Sequence, residues 1–130
     1  MKLYTAWYCP FAQRAWMTLV HKNINFDYIE VDPYDKTESW LALSRGAAMV
    51  TVVIKANEGG SETTIVESNR VVEFLEDLQP QPPLFSSQLN QKAEQKYWMD
   101  HIGSKIVPYF YQFLKAVEAD QKQMQARDNM

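Results

Sequence analysis

Cys9 is the only thiol in the chain, and its setting decides what it can do. It lies in "WYCPFAQRAW", between a short apolar run and a stretch with helical periodicity, with Pro10 directly after it. Proline suits the first turn of a helix, where its missing N–H has no partner to lose. Cys9 is therefore expected at a helix N-terminus, with the N–H groups of Phe11 and Ala12 directed back at it. Such a terminus carries partial positive charge and favours a thiolate, the form that attacks disulfides and electrophiles. The other reading of a lone cysteine is a small buried residue without reactivity; the strand-to-helix position with Pro10 favours the first. His21 and His101 lie far apart in sequence and, with a single cysteine, have no metal-ligand spacing, so no metal site is expected.

The elements that would hold Cys9 in place follow from periodicity. Lys2 to Ala6 is a short β-type run that ends just ahead of the cysteine. Ala12, Ala15, Trp16, Leu19 and Val20 recur at three- and four-residue spacing, which predicts a helix ending near Lys22-Asn23. "FDYIEV", Phe26 to Val31, alternates as a half-buried strand does, "DPYDK" is a turn, and Thr37 to Leu43 reads as a short helix. Val50 to Ile54 is β-branched enough for a strand, "NEGGSE" for a hairpin connection, and Thr63 to Val66 for its partner strand. Ser68 is placed to cap a helix over Asn69 to Leu78, whose Val71, Val72, Leu75 and Leu78 share one face. The order is β-α-β-α-β-β-α, an α/β class with a mixed sheet and helices on its faces. "QPQPP" then interrupts regular structure. Beyond it, Ser86 or Ser87 is a candidate cap for a long helix with Trp98, Ile102, Ile106, Phe110, Phe113 and Val117 at helical spacing and Pro108 as a kink. Residues 1–79 are thus expected as one domain, 80–87 as a linker, and 88–130 as a long helix with a frayed tail.

Composition narrows the function classes. The chain has 130 residues, 46% of them hydrophobic, with a formal net charge of −3. That is enough for one domain and too little for two full ones. The mildly acidic balance argues against nucleic acid as a partner. No apolar run reaches the length of a membrane span, and no signal-peptide layout opens the chain. A single cysteine forms no internal disulfide, so a reducing cytoplasm is the expected compartment.

"WYCPFAQRAW", "VDPYDKTESW" and "VESNRVVEFLE", in that order, closely resemble the N-terminal domain of glutathione transferases, in particular the omega class with its Cys-Pro-Phe start. Chloride intracellular channel proteins share that start. The resemblance runs from about Leu3 to Leu78 and continues less specifically into the first helix of the helical second domain. It implies a thioredoxin-like fold that binds glutathione as co-substrate, without a metal. Carried over residue by residue, Cys9 would form a mixed disulfide with glutathione, and Phe11 would pack beside the tripeptide. Lys36 would meet the glycyl carboxylate, and Glu67 and Ser68 would hold the γ-glutamyl end. A carboxylate at a strand end can take the ligand's ammonium, and a helix start suits its carboxylate. Arg14 belongs to the motif as a structural residue. A dithiol motif would need a second cysteine at position 12, where this chain has Ala12, so any exchange must be monothiol. Reduction of glutathione mixed disulfides or dehydroascorbate-like substrates is then favoured over conjugation.

The chain departs from the family in two places. Where the family carries "NPxGxVP" ahead of the third strand, this chain reads "SRGAAMVTV". Arg45 takes the first proline's place and Val50 that of the cis-proline. Met49 takes the place of the residue whose backbone pairs with the cysteinyl part of glutathione. The helical second domain, which supplies the co-substrate pocket and dimer contacts, is represented by about one helix. The expected function is an omega-like glutathione transferase acting through Cys9. The alternative is a catalytically impaired glutathione-binding or interaction module. Self-association through the apolar face of the last helix, up to a homodimer, is expected.

Overall fold

The computed structural model describes residues 1–32, 34, 37–46, 52–56 and 60–128. Lys36, Met49 and Val50 lie outside the described residues, so their expected roles are not addressed by it. The chain divides into two compact units, Met1–Leu84 and Phe85–Met130.

The first unit is thioredoxin-like, with β1 (Lys2–Thr5), α1 (Pro10–His21), β2 (Asp27–Glu30), α2 (Glu38–Leu43), β3 (Val52–Ala56), β4 (Glu62–Val66) and α3 (Ser68–Leu78). The sheet order is β2-β1-β3-β4. β1 runs parallel to β2, with Leu3 opposite Tyr28, and antiparallel to β3, with Leu3 opposite Val53. β3 and β4 form the hairpin expected around "NEGGSE", with Val52 opposite Val66 and Ala56 opposite Glu62.

Alternation along β1 separates the two faces of the sheet. Leu3 and Thr5 are buried, and Leu3 joins Ala15 and Leu19 of α1 and Val71 and Leu75 of α3 in one core cluster. On the other face, Tyr4 meets Trp40 of α2, with ring centroids 6.2 Å apart. The small residues Ala12 and Ala15 on the inner side of α1 are fully buried. Val20, expected on that face, is instead 62% exposed. With Gln13, Trp16, Met17 and His21 it lines an apolar groove on the outside of α1.

Local hydrogen bonds end the helices where the sequence changes character. Asn23 (φ 53°) follows the last turn of α1; its N–H bonds Val20 O, and the N–H of Ile24 bonds Leu19 O, both at 3.0 Å. This is a Schellman closure, and Ile24 and Leu19 share the same apolar cluster. Thr37 caps α2 by accepting the N–H of Trp40 on its hydroxyl. Ser68 does not act as the expected cap of α3: the helix begins at Ser68, and Glu67 occupies the cap position with no side-chain cap bond.

Lys22 closes the far end of the unit. Its side chain is fully buried, paired with Glu76 Oε2 at 2.5 Å, and donates to Gln79 O at 2.7 Å and Pro82 O at 2.9 Å. Gln79 returns a side-chain N–H to Lys22 O, and both Glu76 oxygens accept the N–H of Leu84. The ends of α1 and α3 and the "QPQPP" stretch are therefore held by one ammonium.

In the second unit, α4 (Leu89–His101) continues through a π-helical turn, Ile102–Ile106, into α5 (Val107–Asp128). The wide turn lies just ahead of Pro108, where a kink is expected. The Val107 N–H reaches back to Ile102 O, and the Ser104 hydroxyl donates to Asp100 O. Proline removes one donor from the ladder, and a π turn just ahead of it is one way to absorb that loss. Ser86 stands two residues ahead of the cap position, Gln88, whose N–H its hydroxyl accepts at 3.2 Å. Trp98, Ile106, Phe110 and Phe113 are each at least half exposed.

Candidate functional site

Cys9 occupies the N-cap of α1, with Pro10 as the first helical residue. Its N–H bonds Ala6 O at 2.9 Å and its carbonyl accepts the N–H of Gln13 at 3.0 Å, so the backbone at the strand-to-helix turn is fixed. The sulfur takes no capping hydrogen bond. The residue is 1% exposed and packs with Ala6, Ala12 and the half-buried Phe11. The N–H groups of Phe11 and Ala12 are thus left at the helix start without a side-chain partner from the cap.

The start of α3 has the same character. Glu67 holds the cap position at φ 74°, ψ 120°, and Val71 donates to its carbonyl at 2.9 Å. Neither α1 nor α3 carries an acidic residue in its first turn. Two uncompensated helix N-termini therefore carry their partial positive charge into this part of the fold.

Arg14 joins them. From the second turn of α1 its guanidinium donates to Asn69 Oδ1 at 2.9 Å and reaches Ser68 Oγ at 3.5 Å. It also lies over the Phe11 ring, 5.1 Å from the centroid, in a cation–π contact. Burial lowers the Arg14 guanidinium below its usual range, and negative charge on Cys9 pulls it back up. Phe11 and Ser68, two of the expected site residues, thus contact one guanidinium, which stands on the helix that Cys9 begins, and Glu67 directly precedes Ser68. The arrangement suits an anionic ligand: two helix N-termini and a guanidinium that reaches from one to the other carry positive character, and the carboxylate of Glu67 directly precedes the second helix.

Sequence reasoning read Arg14 as structural, which its bonds to Ser68 and Asn69 fit, and did not foresee Asn69 as its partner. A usable signal existed for Arg14, one turn and a half into the helix that Cys9 begins, which is within reach of whatever packs on that turn. For Asn69 there was none, since the bond spans 55 residues of chain.

The backbone of Glu67 gives a prediction about stability. A non-glycine residue at such a positive φ costs on the order of 1–3 kcal/mol. Glu67→Gly is expected to stabilise the unit by about 1 kcal/mol, net of glycine's greater loss of backbone entropy. Thermal unfolding should rise by about 4–8 °C. A lowered midpoint would mean that the Glu67 side chain contributes more to the fold than its backbone costs.

Among the described residues no group of His, Cys, Asp and Glu could hold a metal ion, and no helix is long and apolar enough to cross a membrane. Residues 3–83 match the family described as "Glutathione S-transferase, N-terminal domain". The chain is 26% identical over 118 residues to a protein of Caenorhabditis elegans named "Probable glutathione transferase omega-2", covering 91% of this chain and 45% of that one. It is 28% identical over 116 residues to mouse "Glutathione S-transferase omega-1", covering 89% of this chain and 46% of the relative. The crystal structure of glutathione transferase Omega 1C from Trametes versicolor superposes with a TM-score of 0.74 at 28% identity, over 86% of this chain and 50% of that one. The chain therefore spans about half the length of these relatives. Its Cys-Pro-Phe helix start, its thioredoxin-like sheet and the matched region together show that it belongs to the glutathione S-transferase family, through the N-terminal domain, with omega-class members among its relatives.

Proposed function

We propose that this chain carries out glutathione-dependent thiol transfer of the omega type through Cys9. The observation that carries the reading is the Arg14 guanidinium, which contacts Phe11 and Ser68 and so joins the helix start that Cys9 caps to the start of α3, both without a side-chain cap bond. In the proposed cycle the Cys9 thiolate attacks the glutathionyl sulfur of a mixed disulfide. The Cys9–glutathione disulfide forms, and the released thiolate takes a proton from water. A second glutathione, as thiolate, then attacks the glutathionyl sulfur bound to Cys9, which yields glutathione disulfide and restores Cys9. With Ala12 in place of a second cysteine, no internal thiol competes for that step.

Glutathione is held, in this reading, by Phe11 against its stem, Glu67 on its ammonium, and Ser68 with the α3 N-terminus on its γ-glutamyl carboxylate. Lys36 takes the glycyl carboxylate and the Met49 backbone the cysteinyl part. Dehydroascorbate-like substrates, a homodimer and a reducing cytoplasmic setting belong to the same proposal. Because the chain spans about half of its relatives, the activity of a full-length transferase is also a proposal here.

The burial of Cys9 favours a second reading, a glutathione-binding module without turnover. A thiol-transfer assay with glutathione and a small mixed disulfide separates the two: turnover supports transfer, and calorimetric binding without turnover supports the module. Val50 supplies a further prediction. Restoring the family's proline with Val50→Pro is expected to tighten glutathione binding by one to two powers of ten, since a cis bond is roughly 2–3 kcal/mol easier before proline than before valine. Equal affinities by calorimetry would mean that position 50 does not limit the site.

A further inference from the structure

The long helix of the second unit carries an exposed seam of the kind that pairs helices. Its apolar side chains begin with Trp98, Ile102 and Ile106. They continue through Phe110, Phe113 and Val117 to Met124, and each of the seven is at least 37% exposed. Two helices that pack lengthwise need apolar residues at alternating steps of four and three. From Ile106 the steps are four, three and four, and Asp120 fills the next place, three past Val117 and four before Met124. Ahead of Ile106 the steps are four and four, one residue too many for an α-helical seam. That surplus falls between Ile102 and Ile106, the two ends of the π turn, and a π turn takes up one residue more than an α turn. The widened turn therefore keeps Trp98 and Ile102 in line with the stripe on α5. With Tyr109 and Leu114 beside it, the seam exposes roughly 800 Å² of side chain, on a scale of about 150–250 Å² per whole aromatic residue. A stable interface takes about 800 Å² from each partner.

We propose that this seam binds a second copy of the chain, antiparallel, about a two-fold axis between Tyr111 and Gln112. The axis sets Phe110 against Phe113 of the second copy, Ile106 against Val117, Ile102 against Asp120 and Trp98 against Met124, and each contact occurs twice. Charge decides the orientation. A parallel pair in register would set Asp120 against Asp120 and Lys105 against Lys105. The antiparallel pair instead brings Lys105, on the flank of the seam beside Ile106, within reach of Asp120 of the second copy. Neither residue has an ion pair among the described residues, so both charges are free to meet a partner. The inference supplies an interface for the homodimer of the thiol-transfer reading and needs none of the chemistry at Cys9.

Sedimentation equilibrium of the full chain over about 1–100 μM should show a monomer–dimer equilibrium. Phe113→Ala keeps a good helix former in place and should weaken the dimer by roughly a hundredfold, because the two-fold axis counts each lost contact twice. Asp120→Lys should weaken it by about tenfold at low salt, and Asp120→Lys with Lys105→Asp should recover most of that loss. Orientation is read by disulfides, with Cys9→Ser as the background so that only the introduced thiols react. When the Ile106→Cys and Val117→Cys chains are mixed and oxidised, each should link to the other and neither to itself. An Ile106→Cys chain that links to itself reports a parallel pair and overturns the proposal. A dimer indifferent to Phe113→Ala, whose disulfides also fail to form, associates elsewhere and overturns it as well. So does a chain that stays monomeric at about 100 μM, which leaves the seam to a different partner. None of these outcomes touches the thiol-transfer reading, which fails separately if Cys9 in the folded protein does not react.

Discussion

Incubated with glutathione disulfide, the folded protein is expected to gain the mass of a single glutathionyl group, and Cys9→Ser is expected to gain none. Cys9 is the only thiol in the chain, so one intact-mass measurement reads the site without digestion. Thiol-transfer turnover should fall by roughly three powers of ten or more in Cys9→Ser, the scale on which loss of a nucleophile is felt when the rest of its site stays in place. Sulfur to oxygen is a small change in volume, and the sulfur takes no capping hydrogen bond that the variant would forfeit. Thermal unfolding should therefore shift little, and any loss of turnover reports chemistry. The burial of Cys9 sharpens the control. If the folded protein stays unmodified while the same chain in denaturant is modified, the thiol is a packed core residue, and the thiol-transfer reading fails.

The largest effect on stability is expected at Lys22. Lys22→Met removes a fully buried ammonium, leaving the largely buried Glu76 carboxylate without its cation and the Gln79 and Pro82 carbonyls without this donor. Removing one partner of such a pair costs about 3–5 kcal/mol. A unit of this size should lose on the order of 15–30 °C in midpoint. Replacing both partners removes the stranded charge, so Lys22→Met with Glu76→Leu should recover much of the loss. Urea unfolding of wild type, single and double variants gives all three values. A single variant within about 1 kcal/mol of the wild type would mean that water takes over the role of the ammonium.

The two regions differ in how far sequence could foresee them. The β-α-β-α-β-β-α order was legible because each element has its own period, and the Schellman end of α1 falls where "HKNI" leaves the helical pattern. Cys9 at a helix start was legible from Pro10 alone. The Lys22 network was not, because its partners lie 54 residues and more along the chain and nothing local to "LVHKN" implies them. Glu67 at positive φ was hidden for another reason. Glycine would have announced that backbone, whereas a glutamate there is tolerated strain with no sequence signature, and it displaced Ser68 from the expected cap. β3 reaches Ala56 although the β-branched run suggested an end at Ile54, because pairing with β4 carries Lys55 and Ala56 along. The π turn was likewise invisible, since Ile102 and Ile106 keep helical spacing whether or not one turn is widened.

The sheet order β2-β1-β3-β4 also bears on solubility. Its two edges are the short strands β2 and β4, of four and five residues. An edge strand offers unpaired N–H and C=O groups to any passing extended segment, and proteins blunt that invitation with short length and charge. Here Asp27 and Glu30 bracket one edge and Glu62 opens the other, with Lys2 paired to Glu62 at 3.4 Å. A second chain that tried to extend the sheet would have to bring its backbone alongside these charged side chains. Strand-on-strand growth into fibres is thereby discouraged at both margins, while β1 and β3 lie between them in the sheet.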